Sequence, residues 1–71
     1  MLQLNVLPLL RAQGKTKYWL NKQLGMSYTN FTRMINNETK SIQYKHIEIM
    51  CQLFNCTPND LFLILPDEPE E

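Results

Sequence analysis

The two glycines of this 71-residue chain constrain its fold most strongly, because each is followed two residues later by a hydroxyl side chain. Gly14 precedes Thr16, and Gly25 precedes Ser27. Glycine readily adopts the positive φ at which many helices end, and Ser and Thr are preferred at helix N-caps. The spacing therefore predicts short helices that meet at two tight turns.

Apolar residues recur at helical spacing between these signals and predict one buried face on each helix. In the third segment, Phe31, Met34 and Ile35 stand at positions i, i+3 and i+4. Further along, Asn55 is the expected end of a long apolar helix, and Thr57-Pro58 is typical of a helix start. The expected N-caps are Asn5, Thr16, Ser27 and Thr57, and the predicted helices cover residues 6–13, 17–23, 28–36, 42–54 and 58–65.

The two ends of the chain carry apolar residues that these helices do not fully use. Leu2 and Leu4 alternate around a polar residue, which is typical of an extended edge strand or of a dimer contact. Residues 62–65 are more apolar than one helix face can bury. We therefore expect that a homodimer, if it forms, uses residues 61–65 or the N-terminal segment.

The length and composition of the chain exclude several classes of protein. A chain this short has little room for both a core and a deep catalytic cleft. No apolar run approaches the roughly 18 residues that a membrane span needs, and the first residues lack the basic start of a secretory signal. The two cysteines do not indicate a disulfide framework. We expect one cytoplasmic domain over residues 1–66 and a disordered acidic tail over residues 67–71.

The net charge of zero conceals a strong asymmetry along the chain. All seven Lys and Arg residues lie between positions 11 and 45, where Glu38 is the only acid, so this stretch has a formal charge of +6. Residues 46–71 contain six acids and no Lys or Arg. A polyanion would be attracted to one part of the molecule and repelled by the other, whereas the alternative is a merely solvated surface.

The segments on either side of the turn at residues 24–27 predict a helix-turn-helix over about residues 16–36. A tight turn that contains Gly crosses two helices steeply and leaves the second exposed on one side. A helix of residues 28–36 would be roughly 13 Å long, which suits a DNA major groove about 12 Å wide. Asn can pair with adenine, Thr with thymine, and Arg with guanine or phosphate. The residues expected to contact bases are Tyr28, Thr29, Asn30, Thr32 and Arg33.

Contacts to the DNA backbone are expected on both flanks of that helix. The start of the second helix offers free N–H groups and the positive end of a helix dipole, with lysines beside it. The loop after the third helix supplies further cations, with Gln43 or Tyr44 as additional candidates. The residues expected to contact phosphates are Lys15, Thr16, Lys17, Ser27, Asn37, Lys40 and Lys45.

Several short strings along the chain together form a known pattern. They are Gly14, Thr16-Lys17, Leu24-Gly25-Met26-Ser27, Met34-Ile35-Asn36-Asn37 and Cys56-Thr57-Pro58-Asn59-Asp60-Leu61. With these strings the chain resembles the Cro/C1-type (XRE) helix-turn-helix family over about residues 6–65. The resemblance implies a compact all-α, five-helix, lambda repressor-like DNA-binding domain. It also implies a transcriptional regulator of a bacterium, phage or mobile element that binds its operator as a dimer, with Lys17 on a phosphate and the third helix as the recognition surface.

Two positions depart from the family pattern. Lys17 stands where Gln is common, which replaces an oriented hydrogen bond by a point charge. Asn21 stands where a small Ala is common at the helix crossing. The substitution at position 21 predicts either a looser crossing or a specific hydrogen bond by the amide.

Other functions find less support in the residues. Cys51, Cys56 and His46 lack the spacing of a zinc site, and His46 and Cys51 lie roughly 140° apart around a helix, on different faces. We expect no catalytic residue, metal or cofactor. The alternative function is a protein-interaction module, such as the antitoxin of a toxin–antitoxin pair or an anti-repressor, that docks through residues 62–65.

Overall fold

The computed structural model describes residues 1–66, which form five short helices and a two-stranded antiparallel sheet. The prediction of a compact five-helix domain is confirmed, and the sheet is an addition to it. The tail predicted at residues 67–71 lies outside the described residues. In chain order the elements are β1 (Leu2–Leu4), α1 (Leu7–Ala12), α2 (Lys17–Leu24), α3 (Tyr28–Ile35), α4 (Tyr44–Phe54), α5 (Pro58–Leu61) and β2 (Phe62–Ile64).

The predicted starts of α2 and α3 and the predicted role of Gly25 at the end of α2 are confirmed. The Oγ1 atom of Thr16 accepts a hydrogen bond from the Trp19 N–H at 3.0 Å, and Oγ of Ser27 accepts one from the Asn30 N–H at 3.2 Å. Gly25 follows α2 with φ of +68°, in the left-handed region. The two capping bonds define where α2 and α3 begin, and the backbone angle of Gly25 defines where α2 ends.

The predicted starts of α1 and α4 were wrong. Val6, rather than Asn5, is the N-cap of α1, and it has no side-chain capping bond. The Asn5 N–H instead donates to the carbonyl of Leu61 at 2.7 Å, which continues the pairing of the chain ends. The first turn of α4 begins at Tyr44, so Ile42 packs on the core from the preceding loop.

The closing helix is shorter than predicted, because residues 62–64 form a strand. The Asp60 carboxylate accepts bonds from the N–H and the hydroxyl of Thr57 at 3.2 and 3.3 Å, which confirms Thr57 as the start of α5. β2 then pairs with β1 in the register Leu2–Ile64, Gln3–Leu63 and Leu4–Phe62. Phe62 and Ile64 are of the aromatic and β-branched types that are favoured in strands. The prediction of an extended segment at Leu2 and Leu4 is confirmed.

The core lies between α4 and the other helices. α4 packs against α2 and α5. The largest side chains that are fully buried are Phe31, Leu20, Met50, Leu61 and Val6.

No helix within residues 1–66 is long and apolar enough to cross a membrane.

One buried side chain in α2 has a polar atom without a hydrogen-bond partner within the described residues. Asn21 is only 9% exposed, and its Oδ1 atom has no hydrogen-bond partner within the described residues. Of the two alternatives that the sequence left open, a specific bond to this oxygen is therefore not formed. A buried acceptor without a partner destabilises a fold by about 1–3 kcal/mol.

We predict that Asn21→Ala stabilises the domain by about 1 kcal/mol, because it removes the unpaired carbonyl and adds a residue with higher helix propensity. The melting temperature followed by circular dichroism should rise by about 4–8 °C. Gln23→Ala, which removes an exposed amide from the same helix, controls for helix propensity. Equal melting temperatures for the two variants would show that the buried carbonyl carries no penalty.

Candidate nucleic-acid interface

The α2–turn–α3 unit is held together by short-range backbone and capping bonds. The Gly25 N–H donates to the carbonyl of Asn21 at 2.9 Å and closes α2. Only residues 25–27 separate the two helices. On α3, Phe31, Met34 and Ile35 are buried, as predicted. The buried stripe anchors one side of α3 and leaves its opposite side at the surface.

The exposed side of α3 carries the residues that were predicted to contact bases. Thr29, Asn30 and Arg33 are exposed, and Thr32 is half-buried. Tyr28 is 54% exposed at the first position of the helix. These five side chains therefore lie outside the buried stripe of α3, while their contacts with bases stay a prediction.

Tyr28 is held in place by a core residue rather than being free to rotate in solvent. Its ring centroid lies 6.1 Å from that of Phe31, with an angle of 31° between the planes. One edge of the ring is therefore covered by the domain, and the remainder is available to a partner. Packing against the domain and contact with a partner are therefore compatible for Tyr28.

The start of α2 provides a second group of polar contacts. Lys15, Thr16 and Lys17 are exposed. The capping bond of Thr16 satisfies the third N–H of the helix, whereas the N–H groups of Lys17 and Tyr18 donate to no acceptor within residues 1–66. Free N–H groups at a helix start favour an anion such as a phosphate.

Two lysines of this region lie over aromatic rings. The Nζ atom of Lys15 lies 5.1 Å from the centroid of the Trp19 ring, and that of Lys22 lies 5.0 Å from the Tyr18 ring. A cation over an aromatic face is attracted to it, so the freedom of both side chains is reduced. The charge of Lys15 is thereby kept beside the start of α2.

The opposite flank is formed by the loop after α3 and the start of α4. Lys40 and Lys45 are exposed there. Ser27, at the start of α3, is exposed as well. Tyr44 is 89% exposed at the first position of α4, a helix start without a side-chain cap. Tyr44, an additional candidate for a phosphate contact, therefore lies at the surface, and its contact stays a prediction.

Asn37 differs from the other predicted phosphate contacts, because both polar groups of its side chain form hydrogen bonds to another part of the fold. Its Oδ1 atom accepts from the Leu4 N–H at 2.7 Å, and its Nδ2 atom donates to the Leu4 carbonyl at 3.2 Å. The amide is thus joined to β1 rather than presented to a phosphate. We leave Asn37 out of the proposed interface for this reason.

The histidine is buried and the two cysteines are half-buried, so all three have the properties of packed side chains. Burial, followed by the positive charge of Lys45, lowers the pKa of His46 and keeps its imidazole neutral. Burial, with smaller contributions from Cys51 and Asp60, raises the pKa of Cys56 and keeps this thiol protonated. A protonated thiol is a poor nucleophile and a poor metal ligand. Within residues 1–66, no three His, Cys, Asp or Glu side chains are grouped to hold a metal ion.

The family model of the Cro/C1-type helix-turn-helix DNA-binding domain matches residues 5–67. No curated protein and no solved structure matches the chain. The matched range includes α1 to β2, and hence the whole α2–turn–α3 unit with its exposed polar face.

Proposed function

The chain belongs to the Cro/C1-type helix-turn-helix DNA-binding domain family and binds DNA, and from this premise we propose that it is a sequence-specific transcriptional repressor. In the proposal α3 enters the major groove of a duplex operator. The observation that carries it is the two-sided character of α3, since buried Phe31, Met34 and Ile35 hold a hydrogen-bonding face outward. Groups on such a face can reach base edges, which is how sequence is read.

The proposed contacts divide into two classes with different effects. Exposed polar side chains of α3 read bases, and cations with helix-start N–H groups on both flanks hold phosphates. The side chains proposed to read bases are Tyr28, Thr29, Asn30, Thr32 and Arg33. Those proposed to hold phosphates are Lys15, Thr16, Lys17, Ser27, Lys40, Tyr44 and Lys45.

Repression requires only that the operator be occupied, and it therefore needs no chemistry beyond binding. Proteins of this family are typically not enzymes. The proposal accordingly involves no cofactor or catalytic residue and places the protein in the cytoplasm of a bacterium, including one that carries a phage or mobile element. Selection of duplexes from a randomised pool tests it: one enriched sequence is expected, and a pool that stays random would contradict it.

We also propose that the repressor acts as a homodimer through the paired chain ends. Ile64 is 77% exposed beside its cross-strand partner Leu2, and its chain neighbours Leu63 and Leu65 are exposed as well. Apolar surface of this kind is typical of an interface, and a two-fold dimer matches a symmetric site with half-sites about 34 Å apart. The enriched sequence should therefore be an inverted repeat.

The same exposed residues favour a second candidate function. Ile64 and its neighbours could instead receive a different protein, as in an antitoxin or an anti-repressor. Co-purification distinguishes the two, because this candidate predicts a stoichiometric partner of another sequence. A symmetric homodimer without such a partner would favour the repressor.

The phosphate contacts predict a strong salt dependence. With about five contacts, the logarithm of the association constant should fall against the logarithm of salt concentration with a slope near −4 to −5. Lys17→Ala should weaken all duplexes about equally and reduce the magnitude of the slope by about 1. Lys22→Ala, in the same helix but with its ammonium over Tyr18, is the matched control and should leave the slope unchanged. Fluorescence anisotropy at several salt concentrations measures the affinity and its salt slope for the wild type and each variant. An affinity independent of salt would contradict the proposed contacts.

A further inference from the structure

At Leu4, the outer edge of β1 is bonded to a side chain instead of a third strand. Asn5 donates to the Leu61 carbonyl and Leu65 donates to the Met1 carbonyl, so residues 1 and 5 face β2. In an antiparallel pair the residues that face the partner alternate, and the N–H and C=O of Leu4 therefore point to the outer edge. Both groups bond to the amide of Asn37.

The Asn37 amide takes the place that a peptide group of a neighbouring strand would occupy. It accepts from the Leu4 N–H at 2.7 Å and donates to the Leu4 carbonyl at 3.2 Å. These are the two bonds that a residue of an added antiparallel strand would form. The contact joins positions 33 residues apart in the chain.

The backbone of Asn37 explains how its side chain reaches β1 directly after α3 ends. The Asn37 N–H donates to the carbonyl of Met34 at 3.1 Å, and its φ is +61°. Asn tolerates this left-handed conformation better than most residues. Gly would also tolerate it but has no amide, so the position uses two properties that Asn combines.

We propose that Asn37 is a positioning residue for the exposed polar face of α3 that reads bases, an inference that rests on the proposed function. The buried stripe of α3 attaches the helix by apolar contacts, which are non-directional and allow small shifts. The two bonds to Leu4 are directional and join the residue that follows the C-cap of α3 to the sheet. β1 thereby contributes to base recognition although none of its residues is proposed to contact DNA.

The test compares the affinity for the selected operator with the affinity for an unrelated duplex. Asn37→Gly retains the positive φ and removes the amide. We expect operator affinity to fall about tenfold, as for the loss of one base contact, with less than twofold change on the unrelated duplex. A merely structural role would lower the folded fraction and weaken both duplexes equally. A ratio equal to that of the wild type would overturn the inference.

Two further variants keep the result interpretable. Asn55→Gly also replaces an Asn at positive φ, but the Asn55 side chain forms no hydrogen bond within the described residues, so its ratio should equal that of the wild type. Asn37→Asp retains the acceptor for the Leu4 N–H and loses the donor, and its added charge affects both duplexes alike. Its ratio should lie between those of the wild type and Asn37→Gly. Should Asn37→Gly not fold, a wild-type ratio in Asn37→Asp overturns the inference.

Hydrogen exchange of the free protein gives an independent readout. The Leu4 N–H should exchange faster in Asn37→Gly and at the wild-type rate in Asn55→Gly. Unchanged exchange in Asn37→Gly would show that the bonds are not formed in solution and would overturn the inference. Failure of the wild-type protein to retain any duplex would instead refute the proposed function, so the two failures are distinguishable.

Discussion

Phe31→Ala is expected to unfold most of the protein at room temperature and to abolish binding to every duplex. Phe31 is 1% exposed, and it heads the fully buried side chains by volume. Truncation of a buried Phe typically destabilises a domain by about 3–5 kcal/mol, because transfer free energy is lost and a cavity remains. A core of this size rarely supplies more than about 3–5 kcal/mol of net stability. The variant therefore removes most or all of the margin.

Circular dichroism and thermal melting measure the effect of Phe31→Ala directly. Gln52→Ala is a suitable control, because Gln52 is exposed on α4 and surface substitutions usually change stability by less than about 0.5 kcal/mol. Cooperative melting of Phe31→Ala within a few degrees of the wild type would contradict the placement of Phe31 in the core. It would mean that the apolar stripe of α3 is not what holds the helix to the domain.

The second large effect is expected from Asn30→Ala, which should change recognition without changing the fold. The Asn30 side chain is exposed, and its role in the cap of α3 uses the backbone N–H, which Ala retains. Loss of a bidentate base contact reduces discrimination by about 1–3 kcal/mol, or roughly 5- to 150-fold in affinity. We expect the preference to be lost at one position of each half-site, most simply an adenine.

Selection from a randomised pool with the variant protein checks this prediction. Lys17→Ala serves as the contrasting variant, since it should weaken all sequences equally and leave the selected sequence the same. An Asn30→Ala protein that selects the same sequence as the wild type with the same affinity would show that Asn30 does not read a base. The melting temperatures of both variants should remain close to that of the wild type.

The helix boundaries that depend on nearest neighbours were predictable. Thr16, Ser27 and Thr57 begin helices and Gly25 follows one, because each of these signals acts within three or four residues. The buried stripe of α3 follows in the same way from the spacing of its apolar side chains. The exposed face of the candidate site was predictable as the complement of that stripe.

The features that join distant positions were not predictable from local patterns. The apolar residues at 62–65 are compatible with a helix until β1 is placed beside them. The amide of Asn37 is compatible with a phosphate contact until Leu4 is within reach. Asn5 likewise resembles a helix cap, but its N–H bonds to Leu61 in the paired chain ends.

The amino-acid sequence by itself determined the number of helices, the N-caps of α2, α3 and α5 and the composition of the face that α3 turns outward, because these depend on backbone preferences and on the 3.6-residue period. Tertiary structure alone decided that the chain ends pair as strands and that Asn37 bonds to β1. Hydrogen-bonding groups are satisfied by whatever partner the folded chain brings near, and that partner is set by the packing of the whole domain.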